Sequence, residues 1–182
     1  LQRLHHLVHG QLWFPHVPLA LLLGAGGLWL LQAELALQNR VAQCTDYARL
    51  PRGPVHADLF RDNVMFDGPA HAPVLTGFFD WYFAGVDSWL FDLCVVLNDW
   101  ALDSGAGQVL EDNHQALLAA YQSVRPLEPA EERLLPSMLR AAALRFWLSR
   151  LWDYHLPREA SLLTPRNPAQ FEAVVRLRSA EP

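Results

Sequence analysis

This chain predicts a mainly α-helical (α+β) domain that carries one small β-hairpin. Three observations lead there. Apolar residues recur at helical spacing through the second half of the chain, as in Trp89, Leu93, Val96 and Trp100. Two short β-rich runs, Val64-Met65-Phe66 and Val74 to Phe79, flank Asp67–Pro73, a stretch of turn-forming residues. With 52% hydrophobic and 18% charged residues over 182 positions, the chain can bury a core and is not disordered.

Leu1 to Gly10 has Leu4, Leu7 and Val8 at helical spacing. His5, His6 and His9 could form a metal cluster, but a solvated helix face is the simpler expectation. Pro15 and Pro18 interrupt this pattern. Val17 to Leu31 is the most apolar run. It is too short to span a bilayer comfortably and contains Gly24, Gly26 and Gly27. It lacks the basic region and cleavage site of a signal peptide. A buried helix ending at a glycine turn over 24–27 is expected. That turn follows no strand and lacks the GxGxxG spacing, so it is not a phosphate loop. Leu28 to Ala48 reads as one long helix, ended by a loop at Leu50-Pro51-Arg52-Gly53-Pro54.

Val55 to Asp67 comes next, with His56, Asp58, Arg61, Asp62 and Asn63 too closely set for a plain strand. The predicted hairpin follows and would bring Asp80 back towards Asn63. From Ser88 the period is helical, and Asp92 and Asp99 share a face away from the apolar one. A turn is expected at 104–107 and a helix from Leu110 to Val124, stopped near Pro126. A helix from Pro129 to His155 has Glu131 and Glu132 in its first turn, where the helix dipole favours acids, and Pro157 ends it. A short last helix runs from Pro168 to Leu177. The chain is expected to be a single domain over 1–182. Residues 1–49 form a helical lead-in, 50–87 the polar loop and hairpin, and 88–178 a helical subdomain.

Net charge is −5 without blocks of like charge, so no nucleic-acid surface is expected. With no membrane segment either, a cytoplasmic location is expected. Cys44 and Cys94 stand far apart and fit free buried thiols in a reducing compartment. All 14 basic residues are arginine. Seven Trp and nine Phe leave room for an apolar face that meets a partner.

The order of polar residues points to phosphoryl transfer. That chemistry needs a carboxylate to orient the attacking hydroxyl and accept its proton. It also needs hard oxygen ligands for Mg²⁺ on a rigid frame. Asp58, Asn63 five residues on, and Asp80 after a strand–turn–strand meet those needs. A competing expectation makes Asp58, Asp62 and Asn63 turn formers, Asp80 a helix cap and His56 a core histidine.

Leu50 to Asp67 resembles the catalytic loop of the aminoglycoside phosphotransferase/choline kinase superfamily, and within it the homoserine kinases most of all. The resemblance continues in Phe79–Ala84, in Phe91–Cys94 with Asn98–Trp100, and in Leu139–Trp152, His155–Pro157 and Pro168–Phe171. It implies the C-terminal lobe of a protein-kinase-like fold and an ATP- and Mg²⁺-dependent kinase. Asp58 would be the catalytic aspartate, and Asn63 and Asp80 the Mg²⁺ ligands. His56 would hold the loop in shape, and Asp92 would brace it through backbone hydrogen bonds. Trp81 replaces the more usual Phe after the metal aspartate.

Homoserine is a zwitterion with a primary hydroxyl. Arg61 is the first candidate for its carboxylate, against an alternative as a loop-bracing ion pair. Asp62, Asp87 and Asp99 are candidates for its ammonium. The resemblance also implies an N-terminal lobe with a nucleotide-contacting lysine. This chain has no lysine and no strand-rich segment before residue 55, so it is expected to hold the C-terminal lobe only. The missing N-terminal lobe would then be its partner, and the isolated 182 residues would turn over negligibly.

Alternative acceptors are an aminoglycoside, choline or ethanolamine, or a sugar. Trp81, Tyr82, Phe83 and Trp89 could form the aromatic box that choline needs. Two further alternatives are a metal-dependent hydrolase built on His56, Asp58, Asp62 and Asp80, and a non-catalytic module.

Overall fold

The structure is a computed structural model and describes residues 19–103, 108–155 and 165–180. The predicted histidine-rich start, the turn at 104–107 and the helix stop at Pro157 lie outside the described residues. Helix α1 (Leu19–Gln43) is followed by a short α2 (Thr45–Arg49) and strand β1 (Arg52–Val55). A 3₁₀ turn (Arg61–Asn63) leads into the hairpin β2 (Val64–Asp67) and β3 (Val74–Phe78). A second 3₁₀ turn (Trp81–Phe83) precedes β4 (Gly85–Ser88) and helix α3 (Trp89–Trp100). The two-residue strands β5 (Leu102–Asp103) and β6 (Gln108–Val109) come before α4 (Glu111–Val124), α5 (Pro129–His155) and α6 (Ala169–Ala180).

The chain divides into two compact units. One holds residues 1–48 and 140–182, the other Arg49–Leu139. In the first, Leu30, Leu31, Val41, Leu144, Trp147, Phe171 and Val175 are buried. Glu34 is only 1% exposed and is held by Arg140 through two nitrogens. Arg150 lies 4.3 Å over the Phe171 ring and donates to Gln170. Glu34 and Arg150, two buried charges of this unit, thus each have a partner, as a low dielectric requires.

The second unit carries three antiparallel two-stranded ladders, β1–β4, β2–β3 and β5–β6. The predicted hairpin is present, with Val64 opposite Phe78 and Asp67 opposite Val74. Its loop turns at Gly68 (φ 86°), whose amide donates to the Asp67 carboxylate, and its ladder carries a bulge between Met65 and Phe66.

Several expectations need correction. Residues 52–54 are strand, not loop: Gly53 and Pro54 pair with Asp87 and Val86. A two-stranded ladder leaves each strand an open side, so the missing N–H of proline is tolerated. The helix predicted for Leu28–Ala48 is divided at Cys44, whose sulfur accepts the Tyr47 amide at 3.4 Å. That cysteine is part-exposed, whereas Cys94 is buried, and the two are not joined in a disulfide. The expected glycine turn is a kink at one residue, Gly24 (φ 63°), with helix on both sides. The last helix runs to Ala180 rather than Leu177.

Helix α3 is the core of the second unit. Ser88 caps it by accepting the Phe91 amide. Leu90, Phe91, Leu93, Cys94, Val95, Leu97 and Asn98 are all buried, so the helix is enclosed on most sides. The predicted single stripe is too narrow: Val96 and Trp100 are only half-buried. Asn98 donates to the Leu139 carbonyl at 2.7 Å and ties α3 to α5 within this unit.

Candidate functional site

Strand β1 delivers the chain to His56 at one end of its ladder, and β4 brings it back to the start of α3. The candidate site lies between them. The Asp92 carboxylate on α3 holds the entry: Oδ2 accepts the His56 amide at 2.9 Å and Oδ1 the Ala57 amide at 2.7 Å. Both bonds are short and charge-assisted. They hold Ala57 at φ 63°, a left-handed conformation that alanine rarely adopts. One α3 carboxylate thereby fixes the backbone just before Asp58.

A second α3 carboxylate, seven residues on, holds the next part. Asp99 Oδ2 accepts the Arg61 amide at 2.7 Å and the Arg61 Nε at 3.2 Å. The Trp100 indole donates to the Leu59 carbonyl at 3.4 Å. The shared face of Asp92 and Asp99 is thus the face that meets the polar loop.

Asn63 is buried, and its Nδ2 donates to the Asp58 carbonyl at 2.7 Å. A carbonyl can only be met by the NH₂ end, so the amide orientation is fixed and Oδ1 points elsewhere. The Asn63 carbonyl accepts the Phe79 amide at 3.1 Å. That bond ties the end of the hairpin back to Asn63, and Asp80 follows as the second residue beyond β3. Asp80 itself is left-handed (φ 59°, ψ 58°) and exposed. Two non-glycine residues with positive φ, Ala57 and Asp80, thus flank the site.

His56 is buried and donates from Nε2 to the Phe79 carbonyl at 2.9 Å, since a carbonyl can only accept. Its ring packs on Trp81 with centroids 4.6 Å apart. His56 therefore links the loop to the residue before Asp80. Sequence reasoning missed Trp81 as its packing partner and the strained backbone of Ala57. Nothing in an Ala at that position signals a positive φ.

The other predicted residues are dispersed. Asp62 is exposed on the first 3₁₀ turn. Asp87 lies on β4, where its Oδ1 takes Arg52 Nη1 at 3.1 Å and the Ser88 amide at 2.8 Å. Asp99 is occupied by Arg61. Of the proposed aromatic box, Tyr82 and Phe83 pack edge to face at 5.0 Å. Trp81 is on His56, and Trp89 lies under Arg125, 4.7 Å from its guanidinium carbon. Among the described residues, no group of three or more His, Cys, Asp and Glu is gathered to hold a metal, as the hydrolase alternative needs. No described helix is long and apolar enough to cross a membrane.

Three curated homoserine kinases illustrate what the chain is similar to. That of Polaromonas naphthalenivorans (strain CJ2) is 54% identical over 153 residues, covering 84% of this chain and 47% of the relative. That of Ralstonia nicotianae is 55% identical over 151 residues, covering 82% and 45%. That of Paraburkholderia xenovorans is 50% identical over 171 residues, covering 91% and 52%. The chain spans about half the length of the curated relatives it matches. Residues 1–127 match the model of a family described as the phosphotransferase enzyme family, a stretch that includes the candidate site from His56 to Asp99. The chain belongs to the phosphotransferase enzyme family.

Proposed function

We propose that the protein containing this chain transfers the γ-phosphoryl group of ATP to the hydroxyl of L-homoserine, giving O-phospho-L-homoserine for threonine synthesis in the cytoplasm. The observation that carries the chemistry is the locked pair of Asp58 and Asn63. The Asn63 NH₂ on the Asp58 carbonyl fixes both residues and turns the Asn63 Oδ1 away from that bond. The acceptor is named by analogy with the homoserine kinases of half-identical sequence.

Asp58 orients the homoserine hydroxyl and takes its proton as the oxygen attacks phosphorus. Its place is set by Asp92 through the two amides before it, so little reorganisation is needed on binding. Asn63 Oδ1 and the Asp80 carboxylate are hard oxygen donors, and this donor set fits Mg²⁺. Bound there, Mg²⁺ would offset the charge of the nucleotide phosphates. His56 holds the Phe79 carbonyl and so fixes the entry to Asp80.

Arg61 and Asp99 serve best as loop braces, since each takes the other. Asp87 serves as a ladder brace with Arg52. Asp62, exposed on the 3₁₀ turn between Asp58 and Asn63 in the chain, stays a candidate acid for the homoserine ammonium. A panel of homoserine, choline, ethanolamine, a sugar and an aminoglycoside, read by ADP release, tests the acceptor. Homoserine should give the highest kcat/KM; a higher value for any other acceptor would replace it.

A further inference from the structure

Gly53, Trp89 and Arg125 form a stack outside the residues so far given a role. Trp89 is the first residue of α3, and its amide donates to the Pro51 carbonyl at 3.2 Å. Its indole lies directly against Gly53 of β1: a Cβ there would fall 2.5 Å from the indole nitrogen. No side chain larger than hydrogen fits while the indole stays. Arg125 follows the end of α4 and sets its guanidinium carbon 4.7 Å from the Trp89 ring centroid. Its two terminal nitrogens are tethered, Nη1 to the Tyr121 hydroxyl at 3.1 Å and Nη2 to the fully buried Glu131 at 2.8 Å. The same Glu131 oxygen accepts the Glu128 amide at the start of α5. The stack therefore joins β1 and the starts or ends of α3, α4 and α5.

We propose that this stack is a positioning device for Asp58, with Trp89 and Gly53 as positioning residues of the phosphoryl transfer. Trp89 fixes the start of α3, and Asp92 stands three residues on, in the same first turn. Asp92 in turn fixes the His56 and Ala57 amides before Asp58. Gly53 lies on the strand that leads to the same loop, so both routes into the loop meet at the indole. Burial raises the Tyr121 phenol above its ordinary pKa against the pull of Arg125, and the Asp92 charge adds to the rise. Asp92 is thus close enough to the stack to be felt by it.

The inference rests on the proposed kinase activity, and the experiment separates the two. Wild type and the Gly53→Ala variant, expressed from the complete gene, are compared by kinetics and by hydrogen exchange of the peptide spanning 55–60. Gly53→Ala should lower kcat by about tenfold or more and leave both KM values within about twofold. Exchange in 55–60 should speed up while the α5 core stays protected. In a Trp89→Leu background the same glycine change should have little further effect, because no indole remains to be displaced.

A kcat within about twofold of wild type in Gly53→Ala would overturn the proposal. So would an equal effect of the glycine change in both backgrounds. Should Gly53→Ala not fold, Arg125→Met at the part-exposed end of the stack replaces it, with the same expected split and the same overturning result. If the wild type itself does not phosphorylate homoserine, the kinase reading fails. The exchange comparison then still decides whether the stack holds the loop.

Discussion

Replacing Asp92 by Asn changes one atom type and tests how the site is held. Asp92 accepts two amides, at 2.9 and 2.7 Å, and is half-buried. A hydrogen bond to a charged group contributes about 1.5–3 kcal/mol. Asn keeps one acceptor oxygen but sets an NH₂ against the other amide, so one bond is lost outright and the second loses its charge assistance. The loss should come to about 2–4 kcal/mol, with solvent around the half-exposed carboxylate favouring the lower end. For a chain of this size, that lowers Tm by roughly 5–15 °C.

Ala57 sharpens the test. Its left-handed backbone costs about 1–2 kcal/mol, and the two bonds to Asp92 oppose that strain. Ala57→Gly in the Asp92→Asn background should therefore recover about 1 kcal/mol. Thermal melts by circular dichroism give these values, and kcat should fall with Tm because Asp58 follows directly. An Asp92→Asn protein melting within about 1 °C of wild type would refute the account of how the loop is held.

Other consequences follow from the same contacts. Arg61→Ala should change stability by less than about 1 kcal/mol, because its pair with Asp99 is exposed. The KM for homoserine should stay within about threefold of wild type; a larger rise would return Arg61 to the substrate. Arg140→Ala leaves Glu34 buried without its cation and should cost about 3–5 kcal/mol, seen as a Tm drop of roughly 10 °C in a melt. Ser88→Ala removes the cap of α3 and should cost about 1 kcal/mol by urea titration.

Local signals made much of this legible. The β2–β3 hairpin follows from two short β-rich runs around the turn-forming stretch Asp67–Pro73, and α5 from its periodicity with acids at its start. The β1–β4 ladder was hidden, because Gly53-Pro54 is loop-like in isolation and its partner lies about thirty residues away. The burial of α3 was under-read for a related reason: a helix enclosed on most sides shows no single apolar stripe. Within the candidate site, the proposal of Asp58, Asn63 and Asp80 as a set rests on residue order. The family resemblance implied that Asp92 braces the loop through backbone hydrogen bonds, and both bonds are present. The strained Ala57 and the Gly53–Trp89 contact were not visible in the sequence, because each depends on residues about thirty-five positions apart.

The central claim is that Asp58 receives the proton of a homoserine hydroxyl as it is phosphorylated. The most direct measurement is ³¹P NMR of the protein expressed from its complete gene, incubated with MgATP and homoserine, beside its Asp58→Asn variant. The wild type should give a new phosphomonoester signal that needs homoserine. The variant should keep nucleotide binding and lower the rate of that signal at least about a hundredfold. Equal rates in the two proteins, or a wild-type signal that does not depend on homoserine, would contradict it.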